Sequence, residues 1–198
     1  MKLHLGCGSI YLKEYINVDL KGPKMFLAEE RPDLVEKLLT TEAKYYARHE
    51  DKTIDTLRSG PLNPKGVCDE YGSFTRLPFP PNKVGEILAR QVLEHLSPIE
   101  TYAGLRECNR VLCLSGLLRL DVPDFVETVK ALVDTGDKFY LRHLLGVGKG
   151  SGASHLMHYS RESLISLCNS FGFRFVLEEP NIHFYPAFCL RFVKVRTL

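Results

Sequence analysis

The sequence has 198 residues, 44% of them hydrophobic, which is enough for one domain with a substantial buried core and argues against a disordered chain. Its 26 basic and 24 acidic residues are interspersed and give a formal charge of only +2, without the basic surplus that drives nucleic-acid binding. We therefore expect a single domain, residues 1–198, with no nucleic-acid partner.

Cysteine spacing and hydropathy indicate a soluble intracellular protein. The six cysteines contain no Cys-x-x-Cys pair, which fits neither a zinc site nor a disulfide scaffold and predicts free thiols in a reducing compartment. The chain begins with a strand pattern rather than a signal sequence, and no apolar run approaches the roughly 18 residues of a membrane span. We expect a cytoplasmic protein that does not contact a membrane.

The first nineteen residues organise the chain. Lys2 to Leu5 alternates as a short strand and leads into Gly6-Cys7-Gly8, where two residues without a Cβ let the backbone approach a ligand. Ile16 to Asp19 has the pattern of a second strand that ends in a carboxylate, the position where open α/β folds bind a ribose hydroxyl. The glycine turn and Asp19 together predict an adenosine-containing ligand, although two glycines alone are equally typical of a turn that binds no ligand.

The same stretch disfavours a nicotinamide-dependent dehydrogenase. Tyr11 stands where that class has a third glycine, and Asp19 follows the turn sooner than the usual spacing of about 20 residues. The segment from Ser9 to Tyr15 is also too short for a crossover helix and holds at most one helical turn.

The block from about residue 25 to residue 58 has helical spacing and predicts a helical insertion. Pro32-Asp33 is typical of a helix start, and Thr40 or Thr41 is the expected cap of a second helix. The insertion either shapes a substrate pocket or forms a surface hairpin without a ligand role.

Strand and helix patterns then alternate to the end of the chain. We expect strands near residues 66–68, 86–90, 117–122, 173–177 and 188–195, and helices from Pro98 to a glycine cap at Gly116, at 125–133 and at 164–170. The last two strands are expected to pair antiparallel. This order predicts an α/β fold: a Rossmann-like, doubly wound, mostly parallel sheet with an antiparallel C-terminal strand. Four glycines between Gly146 and Gly152 predict a mobile segment, either a gate over an acceptor pocket or a tether.

Several short segments, taken in order, resemble one enzyme family. They are Leu3-His-Leu-Gly-Cys-Gly8, Tyr15-Ile-Asn-Val-Asp19, Leu77-Pro-Phe-Pro80, Val92-Leu-Glu-His95, Arg110-Val-Leu with Ser115-Gly116, Asp121-Val-Pro-Asp124, and Tyr159-Ser-Arg-Glu-Ser-Leu-Ile-Ser-Leu with Phe171-Gly-Phe173. In this succession the chain resembles the class I S-adenosylmethionine (SAM)-dependent methyltransferases, in particular small predicted methyltransferases of the methyltransferase-11 type. It departs from them in lacking the third glycine of the first loop and in having Gly85 where they have an aspartate.

The resemblance implies SAM as cofactor and S-adenosylhomocysteine (SAH) as product. The backbone of Gly6, Cys7 and Gly8 would lie along the methionine part of the cofactor, and Asp19 would accept hydrogen bonds from the ribose hydroxyls. The remaining implied contacts are to the adenine, through Asp69 or through Ser73 and Phe74, and to the sulfonium region, through Ala89, Arg90 and Gln91.

The sequence constrains the methyl acceptor less than it constrains the cofactor. The chain lacks the Asn/Asp-Pro-Pro-Tyr signature of amino-group methyltransferases that act on nucleic acids, which favours a small-molecule or sugar acceptor. Candidate catalytic residues are His95, His155, His158 and Tyr159, because imidazole titrates in the working pH range. A metal set of His155, His158 and His183 lacks a carboxylate, so we predict no metal. The alternatives are a catalytically silent SAM- or nucleotide-binding module and a Rossmann-type dehydrogenase.

Overall fold

The computed structural model describes residues 1–44, 66–146 and 154–198. The strands of these ranges are β1 (Lys2–Leu5), β2 (Tyr11–Leu12), β3 (Ile16–Asp19), β4 (Met25–Leu27), β5 (Leu39–Thr40), β6 (Gly66–Cys68), β7 (Glu70–Tyr71), β8 (Val84–Arg90), β9 (Leu112–Pro123), β10 (Phe173–Glu179) and β11 (Ala187–Lys194). The α-helices are α1 (Pro32–Leu38), α2 (Pro98–Val111), α3 (Phe125–Thr135), α4 (Lys138–Leu145) and α5 (Arg161–Ser170). Within the described ranges, none of these helices has the length and apolarity needed to cross a membrane.

Seven of the strands form one sheet in the order β10-β11-β9-β8-β1-β3-β7. The neighbours from β9 through β8, β1 and β3 to β7 are parallel, whereas β11 is antiparallel to both β9 and β10. Side chains alternate between the two faces of each strand, so the sheet carries two different surfaces. The predicted mostly parallel sheet with an antiparallel C-terminal strand is confirmed.

One face of the sheet carries the main apolar core. Leu3, Ile87 and Leu118 from three adjacent strands pack there with apolar side chains of α2 and α5, and all three are fully buried. Helix α2 begins at a capping box in which the Ser97 side chain accepts from the backbone N–H of Glu100. Each buried leucine of this kind contributes about 1.5–3 kcal/mol relative to an exposed one, so this core dominates the stability of the fold.

The opposite face holds a network of charges around Arg119 of β9. The Arg119 guanidinium donates to Glu86 of β8 at 2.8 Å and to Glu179 of β10 at 2.6 Å, and it also pairs with Glu42. The Tyr15 hydroxyl donates to Glu86 at 2.6 Å. Because Glu42 belongs to the predicted insertion, the network ties that segment to the sheet.

The predicted helical insertion is only partly helical in the described residues. It contains β4, the short helix α1 and β5, followed by a 3₁₀ turn at Glu42–Lys44, while residues 45–58 lie outside the described ranges. Thr40 pairs with Leu12 in a separate two-stranded sheet, and Thr41 directly precedes the 3₁₀ turn. The rest of the predicted second helix lies outside the described residues.

Two further predicted elements are corrected. Strand β6 pairs with β4 in a small separate sheet, and the main sheet instead uses Glu70–Tyr71, which lies next to Val18 and Asp19 of β3. Helix α2 ends at Val111 rather than at Gly116, and Leu112–Pro123 is one continuous strand. Between the pairs Val84–Leu112 and Glu86–Leu117, β9 advances five positions while β8 advances two, and Ser115 in this irregular part of β9 has a positive φ of 65°. The irregularity lets the buried Leu112 join the sheet.

Candidate functional site

The turn after β1 lies at the edge where the parallel strands end, which we call the carboxyl edge. Gly6 and Gly8 have φ values of +63° and +54°, which side chains with a Cβ rarely adopt. A Cβ on Gly6 would lie 2.5 Å from Val92 Cγ2, so packing excludes a side chain there. A Cβ on Gly8 would meet no described atom within 4 Å, so the turn is open on this side.

Asp19 at the end of β3 closes this turn by hydrogen bonds. Its carboxylate accepts from the backbone N–H of Gly8 at 2.7 Å and from that of Leu20 at 2.7 Å. Each carboxylate oxygen has a further lone pair, and the side chain is half-buried rather than enclosed. The arrangement holds a negatively charged hydrogen-bond acceptor, the Asp19 carboxylate, beside the open side of Gly8.

A pocket of about 530 Å³ begins at Leu20, the residue after this carboxylate. The pocket is lined by Leu20, Lys21, Tyr71, Gly72, Ser73, Arg76, Leu77 and Pro78. Its apolar and aromatic side chains suit a flat heteroaromatic ring, and the Ser73 hydroxyl and two cationic side chains supply polar groups. Of the three residues predicted for the adenine, Ser73 lines this pocket.

The other two predicted adenine residues point elsewhere. The Asp69 carboxylate accepts hydrogen bonds from the Tyr11 hydroxyl and, at 2.7 Å, from the backbone N–H of Asn17, so it ties β6 to β3. The Phe74 ring is buried against Gly104 of α2 and belongs to the main core. Stacking of Phe74 on a ligand ring is therefore not supported by its position.

Cys7 contributes backbone rather than side-chain chemistry to the turn. Its thiol is buried and lies 3.6 Å from the Val67 carbonyl, to which it donates. Burial, reinforced by nearby carboxylates, raises the pKa of this thiol well above its usual value, so it stays protonated.

The end of β8 is held by Asp121 of β9. The Asp121 carboxylate accepts from Arg90 Nη1 at 2.6 Å and from Gln91 Nε2 at 2.9 Å, and it lies 2.7 Å from His183 Nε2. Ala89 is fully buried in the main core. Arg90 and Gln91 thus lie at the carboxyl edge as parts of a buried polar network, and sequence reasoning had used Asp121 only as a strand end.

Next to this network lies a group that we call the histidine cluster: Glu94, His95, His143 and His155. Ring centroids are 4.9 Å apart for His95 and His155, and 6.0 Å apart for His143 and His155. The backbone N–H groups of Leu156 and Met157 donate to the Glu94 carbonyl at 2.6 and 3.1 Å, which fastens the segment after His155 onto the end of β8. The structure therefore brings together two of the four predicted catalytic residues.

Burial controls protonation in the histidine cluster. It lowers the pKa values of His143 and His155 to about 4, with neighbouring histidines lowering both further, and it also lowers the pKa of His95. Burial raises the pKa of the Glu94 carboxyl to about 8. At neutral pH the imidazoles are uncharged and keep a free lone pair, so they can bind a metal, although their lowered pKa values make them weak bases.

The other two predicted catalytic residues lie outside the cluster. The exposed His158 ring stacks on Phe125 with centroids 5.2 Å apart. Tyr159 is buried in the main core, where its hydroxyl lies 3.5 Å from Thr101 Oγ1, and burial raises its pKa to about 12. The Tyr159 side chain thus packs against α2 in the main core, and its role at the reacting centre stays a prediction.

The predicted set of His155, His158 and His183 does not come together, since His183 is bonded to Asp121. Instead, the described residues include one group of metal-ligand type, Glu94, His95 and His155, whose ligand atoms lie within 4.8 Å of one another. Glu94 and His143 were missed as functional residues, although Glu94 precedes His95 in the sequence. The predicted gate at 146–152 lies outside the described residues except for Gly146.

The sequence matches no protein-family model and no curated protein. The fold, in contrast, matches solved structures over nearly the whole chain. The complex between the Trm112 methyltransferase activator and a methyltransferase of Haloferax volcanii gives a TM-score of 0.54 at 14% identity, covering 98% of this chain and 82% of that chain. A SAM-dependent methyltransferase of Methanosarcina mazei gives 0.54 at 15% identity, covering 98% and 92%. LepI in complex with SAM gives 0.53 at 10% identity, covering 99% of this chain and 43% of that chain. The chain therefore has the fold of the class I SAM-dependent methyltransferases.

Proposed function

We propose that this protein is a SAM-dependent methyltransferase that transfers a methyl group to a small-molecule or sugar acceptor. The observation that carries the proposal is the hydrogen bond of 2.7 Å from the Gly8 backbone to the Asp19 carboxylate. It joins a turn with open backbone to an anionic acceptor at the carboxyl edge, where doubly wound sheets bind their ligands.

The residues at this edge fit SAM. The open side of Gly8 leaves room for the methionine part beside backbone, Asp19 presents a carboxylate suited to a vicinal diol, and Ser73 lines the pocket of about 530 Å³ for the adenine. LepI, which shares the fold, is in complex with SAM. The short stretch between β1 and β3 does not match the nicotinamide pattern, which favours SAM over a dinucleotide.

When bound, SAM would supply an electrophilic methyl group that an acceptor atom attacks in line with the leaving sulfur. Most of the acceleration would come from holding the acceptor near 3 Å from that methyl, so this chain's residues act chiefly by positioning. The network of Asp121 with Arg90 and Gln91 fixes the end of β8, which borders this region. In this proposal the histidine cluster, which lies next to the network of Asp121, borders the methyl acceptor.

Calorimetry on the purified chain tests the cofactor. We expect SAH and SAM to bind and NAD not to bind. Binding of NAD alone would indicate the dehydrogenase alternative, and absence of binding by any of the three would overturn the proposal.

Activity separates an enzyme from a silent binding module. With SAM carrying a labelled methyl group and a panel of hydroxylated small molecules and sugars, we expect label to appear in acceptor. Binding of SAH without any transfer across the panel would support the silent module, which has an equal need for Gly8 and Asp19.

A further inference from the structure

The strongest unexplained feature of the molecule is a set of polar atoms buried without partners in the histidine cluster. Glu94 is only 1% exposed, and in the described part of the chain neither of its carboxylate oxygens has a hydrogen-bond partner. His155 Nδ1 is likewise buried and unpartnered. Buried polar atoms are nearly always satisfied, because leaving one unpaired costs about 1–3 kcal/mol. With His143 Nε2, which is also buried without a partner among the described residues, four such atoms at one place indicate a missing cationic ligand.

The imidazoles around Glu94 are oriented as metal ligands are. His95 Nδ1 lies 3.1 Å from the Ser154 carbonyl, which leaves its Nε2 facing Glu94. The His155 Nδ1 is buried and has no hydrogen-bond partner among the described residues, so its lone pair is available to a ligand. Histidines that bind a metal characteristically donate the other ring N–H to a carbonyl, since this fixes the tautomer and the ring orientation.

The distances also suit an ion. His95 Nε2 and Glu94 Oε1 are 3.9 Å apart, too far for a hydrogen bond, yet one ion bonded at about 2.0–2.2 Å to each atom could join them. The ligand atoms of Glu94, His95 and His155 lie within 4.8 Å of one another, so small ring rotations bring all three onto one ion. We propose that these three residues bind a single divalent transition-metal ion of the zinc type.

The donor set decides the kind of metal. Two imidazole nitrogens and one carboxylate suit Zn²⁺ and related first-row ions, whereas Mg²⁺ and Ca²⁺ prefer oxygen ligands throughout. Three protein ligands leave at least one coordination position open, as in catalytic rather than structural zinc sites. Both histidines are half-buried rather than sealed, which leaves access to that position.

The ion would act on the acceptor, a role that depends on the proposed function. The site follows β8 at the carboxyl edge, next to Arg90 and Gln91, where the proposed function places the methyl acceptor. An acceptor hydroxyl bound to the ion would lose its proton more readily, because a metal lowers the pKa of a bound oxygen. The proton would pass to water, and the alkoxide oxygen would bond to the SAM methyl as the methyl–sulfur bond breaks to give SAH. An acceptor with a hydroxyl or a vicinal diol would be favoured over an amine.

Metal binding can be tested directly, without any acceptor. The chain, prepared without a polyhistidine tag and freed of metal with a chelator, is titrated with Zn²⁺ in competition with a chromogenic zinc indicator. We expect one Zn²⁺ per chain and no competition from Mg²⁺. Glu94→Gln and His155→Gln should each weaken zinc binding by roughly 100-fold or more, since loss of even an outer-shell partner costs about 10–100-fold.

His158→Gln is the matched control, because it changes a histidine three positions after His155 that lies outside the cluster. Its zinc affinity should equal that of the parent. Co²⁺ loaded in place of Zn²⁺ should give visible absorption bands in the parent and in His158→Gln, and should lose them in His155→Gln. Glu94→Gln keeps the side-chain volume, and because burial raises the pKa of Glu94 to about 8 the variant removes no charge at neutral pH, so it should fold, which circular dichroism checks.

Three results would overturn the metal site: no zinc bound by the parent, equal zinc affinity in the parent and both ligand variants, or loss of affinity in His158→Gln as well. SAH binding, measured by calorimetry in the same variants, should stay unchanged, because Gly8 and Asp19 are untouched. If SAH fails to bind while zinc binds as expected, the proposed function fails and the metal site stands.

Discussion

The Asp19 carboxylate accepts hydrogen bonds from two backbone N–H groups, whereas the Glu94 carboxylate has no partner among the described residues, although both lie at the carboxyl edge. The first belongs to the β1–β3 half of the edge, where turn and strand are joined within a short stretch of chain. The second belongs to the β8–β9 half, where α4 and the segment after residue 153 meet the end of β8. In the β1–β3 half the protein itself supplies the hydrogen-bond partners of the carboxylate. In the β8–β9 half, under our proposal, a bound metal ion supplies the missing partner.

This difference separates two kinds of site. The β1–β3 half offers backbone and a carboxylate that are already held in place, so ligand binding there costs little reorganisation. In the β8–β9 half, polar atoms are buried without hydrogen-bond partners, which lowers the stability of the fold. Such atoms are retained in proteins where they serve binding or catalysis. Four predictions test the contrast, from the largest expected effect to the smallest.

Gly8→Val should abolish detectable SAH binding. A β-branched residue at a φ of +54° is strained, and its side chain would fill the open side of the turn. Calorimetry with SAH measures the effect. Gly136→Val is the matched control, because Gly136 also has positive φ, +65°, and an open Cβ position, but caps α3. Normal SAH affinity in Gly8→Val, or an equal loss in Gly136→Val, would contradict a ligand at Gly8.

His4 should make the stability of the protein depend on pH. Burial lowers the pKa of His4 to about 4 from 6.5, despite its hydrogen bond of 3.0 Å with Asn17. The unfolded chain takes up this proton near pH 6.5 and the folded chain only near pH 4. Stability is therefore fully present above pH 6.5 and falls on the order of 3 kcal/mol as the pH drops to 4.

Urea unfolding of the parent and of His4→Gln at several pH values measures this contribution. The difference in unfolding free energy between the two proteins should shrink as the pH falls from 7 to 4.5. A difference that stays constant over that range would mean that His4 titrates alike in the folded and unfolded chain.

Asp19→Ala should weaken SAH binding by about 1.5–3 kcal/mol for each ribose hydrogen bond lost, since the acceptor is charged. That is roughly a 10- to 100-fold rise in the dissociation constant for one such bond. The fold should persist, as judged by circular dichroism. Asp33→Ala removes an exposed carboxylate that pairs only locally with Arg31, and should leave affinity as it was. Unchanged affinity in Asp19→Ala would remove that residue from the site.

Asp69→Asn and Glu94→Gln should shift stability in opposite directions by about 1 kcal/mol each. The Asp69 carboxylate accepts hydrogen bonds from Tyr11 and Asn17. In Asp69→Asn the amide NH₂ would point at one of these donors, so that hydrogen bond would be lost. Glu94 has no such partners among the described residues, and above pH 8, where its carboxyl ionises, its charge is buried, so the gain in Glu94→Gln is expected at pH 9. Urea midpoints in the presence of a chelator measure both, and a loss of stability in both variants would contradict the contrast between the two halves.

The predicted elements that matched the structure are those with strong local signals. Helix α2 begins at Pro98 after Ser97, as the proline indicates, and helix α5, predicted at 164–170, begins at Arg161 after a capping box at Ser160. The errors fall where a distant partner decides: β6 pairs with β4, and Leu112 pairs with Val84. A strand partner outweighs local propensity, because the pairing adds hydrogen bonds and burial that no local pattern contains.

The sequence by itself determined the glycine turn and the carboxylate beside it, because only 11 positions separate Gly8 from Asp19 and both lie at the ends of recognisable strands. Only the tertiary structure decided the histidine cluster, in which the contact between His95 and Ser154 spans 59 positions. The same holds for Phe74 and Tyr159, whose rings have the composition of a binding site yet fill the core. Burial and pairing between distant segments assign these side chains their roles, since a residue type specifies its chemistry but not what surrounds it.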